Sequence, residues 1–133
     1  MNNLSGKIRK LTSSGNITMV DVDIEQITMT AIVIGQPDQE NCLCEGSEIG
    51  LLFNESEVAV ARTGNSQISM NNQILCLIGE MEEGTIFTKV KLDFAGQSIF
   101  SLITTRASRR LNLQKGEEVL ALIKTNEVFL KYQ

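Results

Sequence analysis

The feature that most constrains this chain is an internal repeat. Met1-Asn2-Asn3 returns as Met70-Asn71-Asn72, an offset of 69. With one residue inserted in the first turn region the offset becomes 70, and Val20-Asp21-Val22-Asp23-Ile24 lies over Val90-Lys91-Leu92-Asp93-Phe94. The same register carries Leu43, Gly46, Ile49, Leu52, Asn54 and Val58 onto Leu113, Gly116, Val119, Leu122, Lys124 and Val128. A repeat of this kind means one supersecondary unit used twice. The chain therefore divides into a module at 1–66 and a second at 67–133.

Each copy reads as mostly strand. Residues 17–24, 86–94, 27–34 and 97–104 are partly alternating and rich in β-branched side chains, with Gly15, Gly84 and Gly96 at the turns between them. Short strands at this spacing predict an all-β fold of two small barrels. One stretch, 105–111, reads as helix: Thr104 or Thr105 caps its start, and Ala107, Leu111 and Ser108 face inward. In the first copy Gln36-Pro37 stands at the equivalent place, and proline is tolerated in a first helical turn. A module of about 65 residues buries only about 60% of its unfolded surface, so each needs its twin. Edge strands left over predict pairing with further copies of the chain.

Composition narrows the function. Histidine and tryptophan are absent, which removes the commonest general base and the commonest transition-metal ligand. Cys42, Cys44 and Cys76 are odd in number and lack a C-x-x-C pair, so neither a disulfide framework nor a zinc knuckle is expected. The net charge is -4, against a nucleic-acid surface. It divides unevenly: four Lys or Arg against nine Asp or Glu before Ser69, eight against seven from there on. An anion is favoured by the second half. No apolar run approaches the roughly 18 residues of a spanning helix, and the start lacks the order of a secretory signal, so a cytoplasmic protein is expected. Asp21 and Asp23 alternate with valines and read as the wet side of a sheet. Glu80, Glu82 and Glu83 read as a solvated hairpin tip, and Arg106, Arg109 and Arg110 as a solvated helix face. No nucleophile or base faces an oxyanion hole in this pattern, so a binding protein rather than an enzyme is expected.

Three segments of the second copy stand out: Ile68-Ser69-Met70-Asn71-Asn72-Gln73, Leu102-Ile103-Thr104-Thr105-Arg106 and Leu120-Ala121-Leu122-Ile123-Lys124-Thr125-Asn126-Glu127-Val128. Here the chain resembles the molbindin family of Mop-type modules, also called TOBE domains. Their hallmarks are a Ser-Ala-Arg-Asn-Gln start, an Ile-Thr centre and a Leu-Ile-Lys-Ala-Ser-Ser-Val end. The resemblance spans both copies as a tandem. It implies OB-like barrels, each with one short helix, assembling into oligomers (a dimer or trimer of tandem chains) that hold molybdate or tungstate at interfaces. The site residues it implies are Ser69, Asn71, Thr104, Lys124 and Thr125. Asn71 stands where the family has arginine, and a neutral amide cannot form a guanidinium's charged fork.

Those residues suit the ligand on physical grounds. A tetrahedral dianion with four acceptor oxygens needs convergent hydroxyls, an amide, backbone N–H groups and a cation. Thr104 at a helix start offers a hydroxyl beside unpaired N–H groups, and Lys124 offers a full charge at an apolar strand end. Sulfate has the same charge and shape, so discrimination falls to cavity size. The plainer readings are a surface lysine, a helix cap and a turn serine. The first copy departs from the motif: Ile34 replaces the threonine, Asn54 replaces the lysine, and Asn2, Asn54 and Ser56 remain for a different interface. Molybdate or tungstate storage is the leading expectation. The alternatives are the effector-sensing part of a molybdate-responsive regulator, the tail of a transporter ATPase, whose phosphate loop is missing here, and an OB-like nucleic-acid binder, which five Phe and one Tyr serve poorly.

Overall fold

The computed structural model describes residues 1–35, 43–64 and 67–132. The first half supplies β1 (Asn2–Ser14), β2 (Ile17–Ile24), β3 (Ile27–Ile34), β4 (Glu48–Phe53), a 3-10 turn η1 (Glu55–Glu57) and β5 (Ala59–Arg62). The second supplies β6 (Asn72–Glu83), β7 (Phe87–Phe94), β8 (Gln97–Thr104), helix α1 (Thr105–Leu111), β9 (Glu118–Ile123), a 3-10 turn η2 (Thr125–Glu127) and β10 (Phe129–Tyr132). The expected strands at 17–24, 27–34 and 97–104 are found with those bounds. The strand expected from Ile86 starts one residue later, at Phe87. Gln36, Pro37 and Cys42 lie outside the described residues.

Alternation explains the strands. Val20, Val22 and Ile24 turn inward and are buried, while Asp21 and Asp23 turn outward and accept hydrogen bonds from the Thr30 and Thr28 hydroxyls at 2.7 and 2.8 Å. The long first strand of each half bends at a bulge, between Ile8 and Lys10 in β1 and between Ile78 and Glu80 in β6. The bend lets one strand serve two neighbours: β1 pairs with β4 along its first part and with β2 along its second. The tight β7–β8 turn needs positive φ at both central residues, Ala95 (47°) and Gly96 (76°).

The repeat register differs from the one read off the sequence. Asn2 pairs with Phe53 and Asn72 with Ile123, so the offset is 70 from the first strand onward and no residue is inserted. The counterpart of Asn2 is thus Asn72, not Asn71. On α1 Ser108 is buried, as expected, together with Thr105, while Leu111 packs half-buried against the core and Ala107 is half-buried. Glu80, Glu82 and Glu83 are exposed at the end of β6, opposite Lys91, Lys89 and Thr88 and just before the turn at Gly84. Glu83 also meets Arg109 of the exposed helix face in an ion pair.

The two halves are not separate. One sheet has the order β10-β4-β1-β2-β3 and the other β5-β9-β6-β7-β8. Each half therefore donates its last short strand to the other's sheet: β5 lies on β9, and β10 on β4. Buried side chains of both halves, among them Phe53, Ile24, Met29, Ile74, Leu92 and Ile123, form one hydrophobic cluster. Among the described residues no helix is long and apolar enough to cross a membrane.

Candidate functional site

Exchange of the terminal strands creates two equivalent junctions. At the first, η2 and the start of β6 pack on the free edge of β3; at the second, η1 and the start of β1 pack on the free edge of β8. A buried amide clips each one. Asn72 Nδ2 donates to the Thr30 carbonyl (2.9 Å) and its Oδ1 accepts the Thr30 N–H (2.7 Å). Asn2 does the same to Phe100, at 2.9 and 2.8 Å. An edge strand must satisfy its outward backbone groups, and a primary amide, carrying both donor and acceptor, matches one residue's pair.

The first junction gathers four of the five expected residues. The Asn72–Ile123 rung ends the β6–β9 ladder, so the next residues on each strand, Asn71 and Lys124, extend from the same end. Ser69 precedes them on one side and Thr125 follows on the other. Ser69, Asn71 and Lys124 are exposed and Thr125 is half-buried. Lys124 occupies the N-cap position of η2, where its ammonium, a donor only, cannot cap the turn's N–H groups. Beyond Asn126 of η2 an apolar groove of about 380 Å³ runs between Ile32, Val33 and Ile34 of β3 and Phe129 and Tyr132 of β10. Ile34, at the place Thr104 holds in the other half, is 76% exposed.

Thr104 is not with the others. It pairs with Phe87, near the far end of β6, and belongs to the second junction. Its hydroxyl accepts the Ala107 N–H at 3.1 Å, and the Thr105 N–H is bound to Ile86. The expected unpaired N–H groups beside it are therefore largely spoken for, and what Thr104 offers a ligand is its hydroxyl proton. Across this junction the module-one residues are turned inward on themselves. Asn54 Oδ1 accepts the Ser56 N–H (3.0 Å) and the Ser56 hydroxyl (2.9 Å). Beside them Glu55 Oε1 lies 3.3 Å from Lys89 Nζ, which also sits 4.6 Å over the Phe100 ring. Each junction thus pairs a motif-bearing half with a departed one.

Sequence reasoning missed the Asn2 and Asn72 clips. A signal was present, since Asn72 fills the asparagine of the Ser-Ala-Arg-Asn-Gln start, but a repeat register one residue off paired Asn2 with Asn71. Elsewhere, burial pushes the Cys76 thiol up to about 12, so it packs as an apolar group. Cys44 is exposed. Among the described residues no group of three or more acidic or thiol side chains is arranged to hold a metal ion.

Two five-stranded modules, completed by exchanged strands and clipped by paired amides, define a tandem small-barrel protein. The TOBE domain model matches residues 68–130. That segment is similar to the TOBE domain, the module whose motifs the second half resembles. The chain is 30% identical over 104 residues to the molybdenum-pterin-binding protein MopB of Rhodobacter capsulatus, covering 77% of this chain and 38% of that protein. It is 36% identical over 70 residues to the molybdenum transport protein ModE of Herbaspirillum seropedicae, covering 52% and 26%. The chain thus spans less than two fifths of the curated relatives it matches. A crystal structure of the cytoplasmic molybdate-binding protein ModG, with molybdate bound, superposes with a TM-score of 0.92 at 22% identity, over 99% of this chain and 96% of that one. At that identity the likeness establishes the fold.

Proposed function

We propose that the protein binds a tetrahedral oxyanion, molybdate or tungstate, for storage and homeostasis in the cytoplasm, and performs no catalysis. The observation that carries this reading is the gathering of Ser69, Asn71, Lys124 and Thr125 at one end of the β6–β9 ladder. Two hydroxyls, an amide and an ammonium placed at that end make a donor set suited to a dianion. The molybdenum-pterin binding of MopB and the molybdate binding of ModG support this reading.

Thr104 completes the set only from another molecule, because within the chain it belongs to the opposite junction. We therefore read the protein as a homo-oligomer, a dimer or trimer of tandem chains, in which one copy brings Thr104 to the Lys124 end of the next. Isothermal titration with molybdate, with sulfate as control, tests the reading. Selective heat is expected in the wild type; Lys124→Ala abolishes it and Asn54→Ala leaves it intact. Equal losses in the two variants would refute the assignment.

A further inference from the structure

Gln73 closes the segment that begins at Ser69, and its side chain turns back on that segment. The Gln73 Nε2 donates to the Met70 carbonyl, three residues earlier, at 2.8 Å. Gln73 itself is held in the ladder, where it pairs with Leu122 across β6 and β9, and Leu122 is buried to 6% exposure. Directly paired side chains share a face of the sheet, so the half-buried stem of Gln73 runs beside that leucine and its amide reaches out of the strand.

Asn72 and Gln73 are consecutive in a strand and point to opposite faces. Asn72 ties the strand end to Thr30 of the other half, and Gln73 ties the incoming chain to the strand end. Residues 67–71 precede β6 and lie outside any strand or helix; Ser69 and Asn71 are exposed there, and Met70 between them is half-buried. Donors on such a segment must be ordered when they bind a ligand, and that ordering is subtracted from affinity unless the free protein already holds it. The Met70 carbonyl lies between the two donors, so one hydrogen bond at that point restrains both.

We propose, resting on the oxyanion reading above for the nature of the ligand, that Gln73 is a positioning residue of the site. It acts through Met70, and it holds Ser69 and Asn71 at the Lys124 end before the anion arrives. Those two donors set one side of the cavity, so the same tie supports the choice of molybdate over sulfate.

Isothermal titration of the full chain with molybdate and with sulfate compares the wild type with Gln73→Met, which keeps the stem and removes the donor. Molybdate affinity is expected to fall about three- to tenfold, and selectivity over sulfate to fall with it, while the urea midpoint stays unchanged because no core contact is lost. In a Ser69→Ala/Asn71→Ala background the further cost of Gln73→Met should vanish, since the groups it positions are gone. In the ligand-free protein, NMR order parameters of residues 69–71 should drop in Gln73→Met. Unchanged affinity and selectivity in Gln73→Met overturn this inference and leave the proposed function standing, as does a loss of the same size in the Ser69→Ala/Asn71→Ala background. A wild type that takes up no molybdate overturns the proposed function, and the order parameters then decide the tie by themselves: a loosened segment in Gln73→Met supports it, and an equally ordered one overturns it.

Discussion

Asn72 is fully buried, and its amide bonds both backbone polar groups of Thr30 on the outer edge of β3. Cutting it to alanine leaves a buried N–H and a buried C=O unpaired, at roughly 1–3 kcal/mol each. Asn72→Ala is accordingly expected to lower unfolding stability by about 3 kcal/mol, and Asn72→Asp by at least as much, since a carboxylate cannot donate to the Thr30 carbonyl. Urea unfolding measures both; a loss in Asn72→Ala below about 1 kcal/mol would mean that water replaces the amide and that the clip is not structural. The Asn71 side chain, one residue earlier and exposed, takes no part in that bonding and its removal should leave stability nearly unchanged. The contrast shows how much of the site was legible. Residue types and motif order located Ser69, Asn71, Lys124 and Thr125 together, because neighbours in sequence at two paired strand ends are neighbours in space. They did not separate Thr104 from Lys124, which depends on which end of β6 each strand meets. Nor did they give the role of Asn72, whose partner is forty-two residues away in the other module.

At the scale of elements, the strand bounds were legible because alternation is a local property of the chain, and 17–24 and 97–104 alternate well enough to fix their own limits. The exchange of β5 and β10 was not, since Ala59–Arg62 is four residues long and suits the edge of either sheet. What holds β5 on the second module is a side chain at its end. Arg62 reaches the Leu111 and Asn112 carbonyls after α1, the latter at 2.8 Å, and pairs with Glu117. The hydrogen bond from Arg62 holds the Glu117 carboxyl below the usual carboxylate range. A depressed folded pKa means stability that is present above the unfolded value, about 4.3, and lost as pH falls through the folded one. Arg62→Gln removes the cause, so it is expected to flatten that acid limb. Urea midpoints compared at pH 7 and pH 3 check this: the wild type should lose more than the variant, and parallel losses would place the acid sensitivity elsewhere. Both partners are about one third exposed, so solvent screening keeps the effect modest. The counterpart of Arg62 in β10 is Tyr132, so the two exchanged strands are anchored by different chemistry.

For the whole molecule, exchange changes what a module is. The connection from Arg62 to Asn72 links β5, which completes the second sheet, to β6, which opens that same sheet. A break between residues 66 and 67 therefore does not release two finished barrels. Each half keeps a four-stranded remnant and carries one strand whose place is on the other half: β5 on β9, and β10 on β4. An unfilled edge is a template for pairing, and each fragment also retains an asparagine shaped to clip the other's edge strand. Two fragments, 1–66 and 67–133, produced together are thus expected to copurify as a 1:1 pair with the β content of the intact chain. Produced singly, each is expected to recruit a second copy of itself, its own last strand filling the place left in its twin. Size-exclusion chromatography with light scattering separates these outcomes. Well-folded monomers of either fragment alone would mean that exchange is dispensable and that the boundary at 66 is a true domain boundary. The pair, by contrast, would make the tandem arrangement a covalently tied dimer, in which joining the modules raises the effective concentration of each strand at its partner sheet. In that arrangement the halves are free to diverge at their two junctions, where Lys124 is exposed at one and Lys89 is paired with Glu55 at the other, while the clips and exchanged strands that both require stay the same.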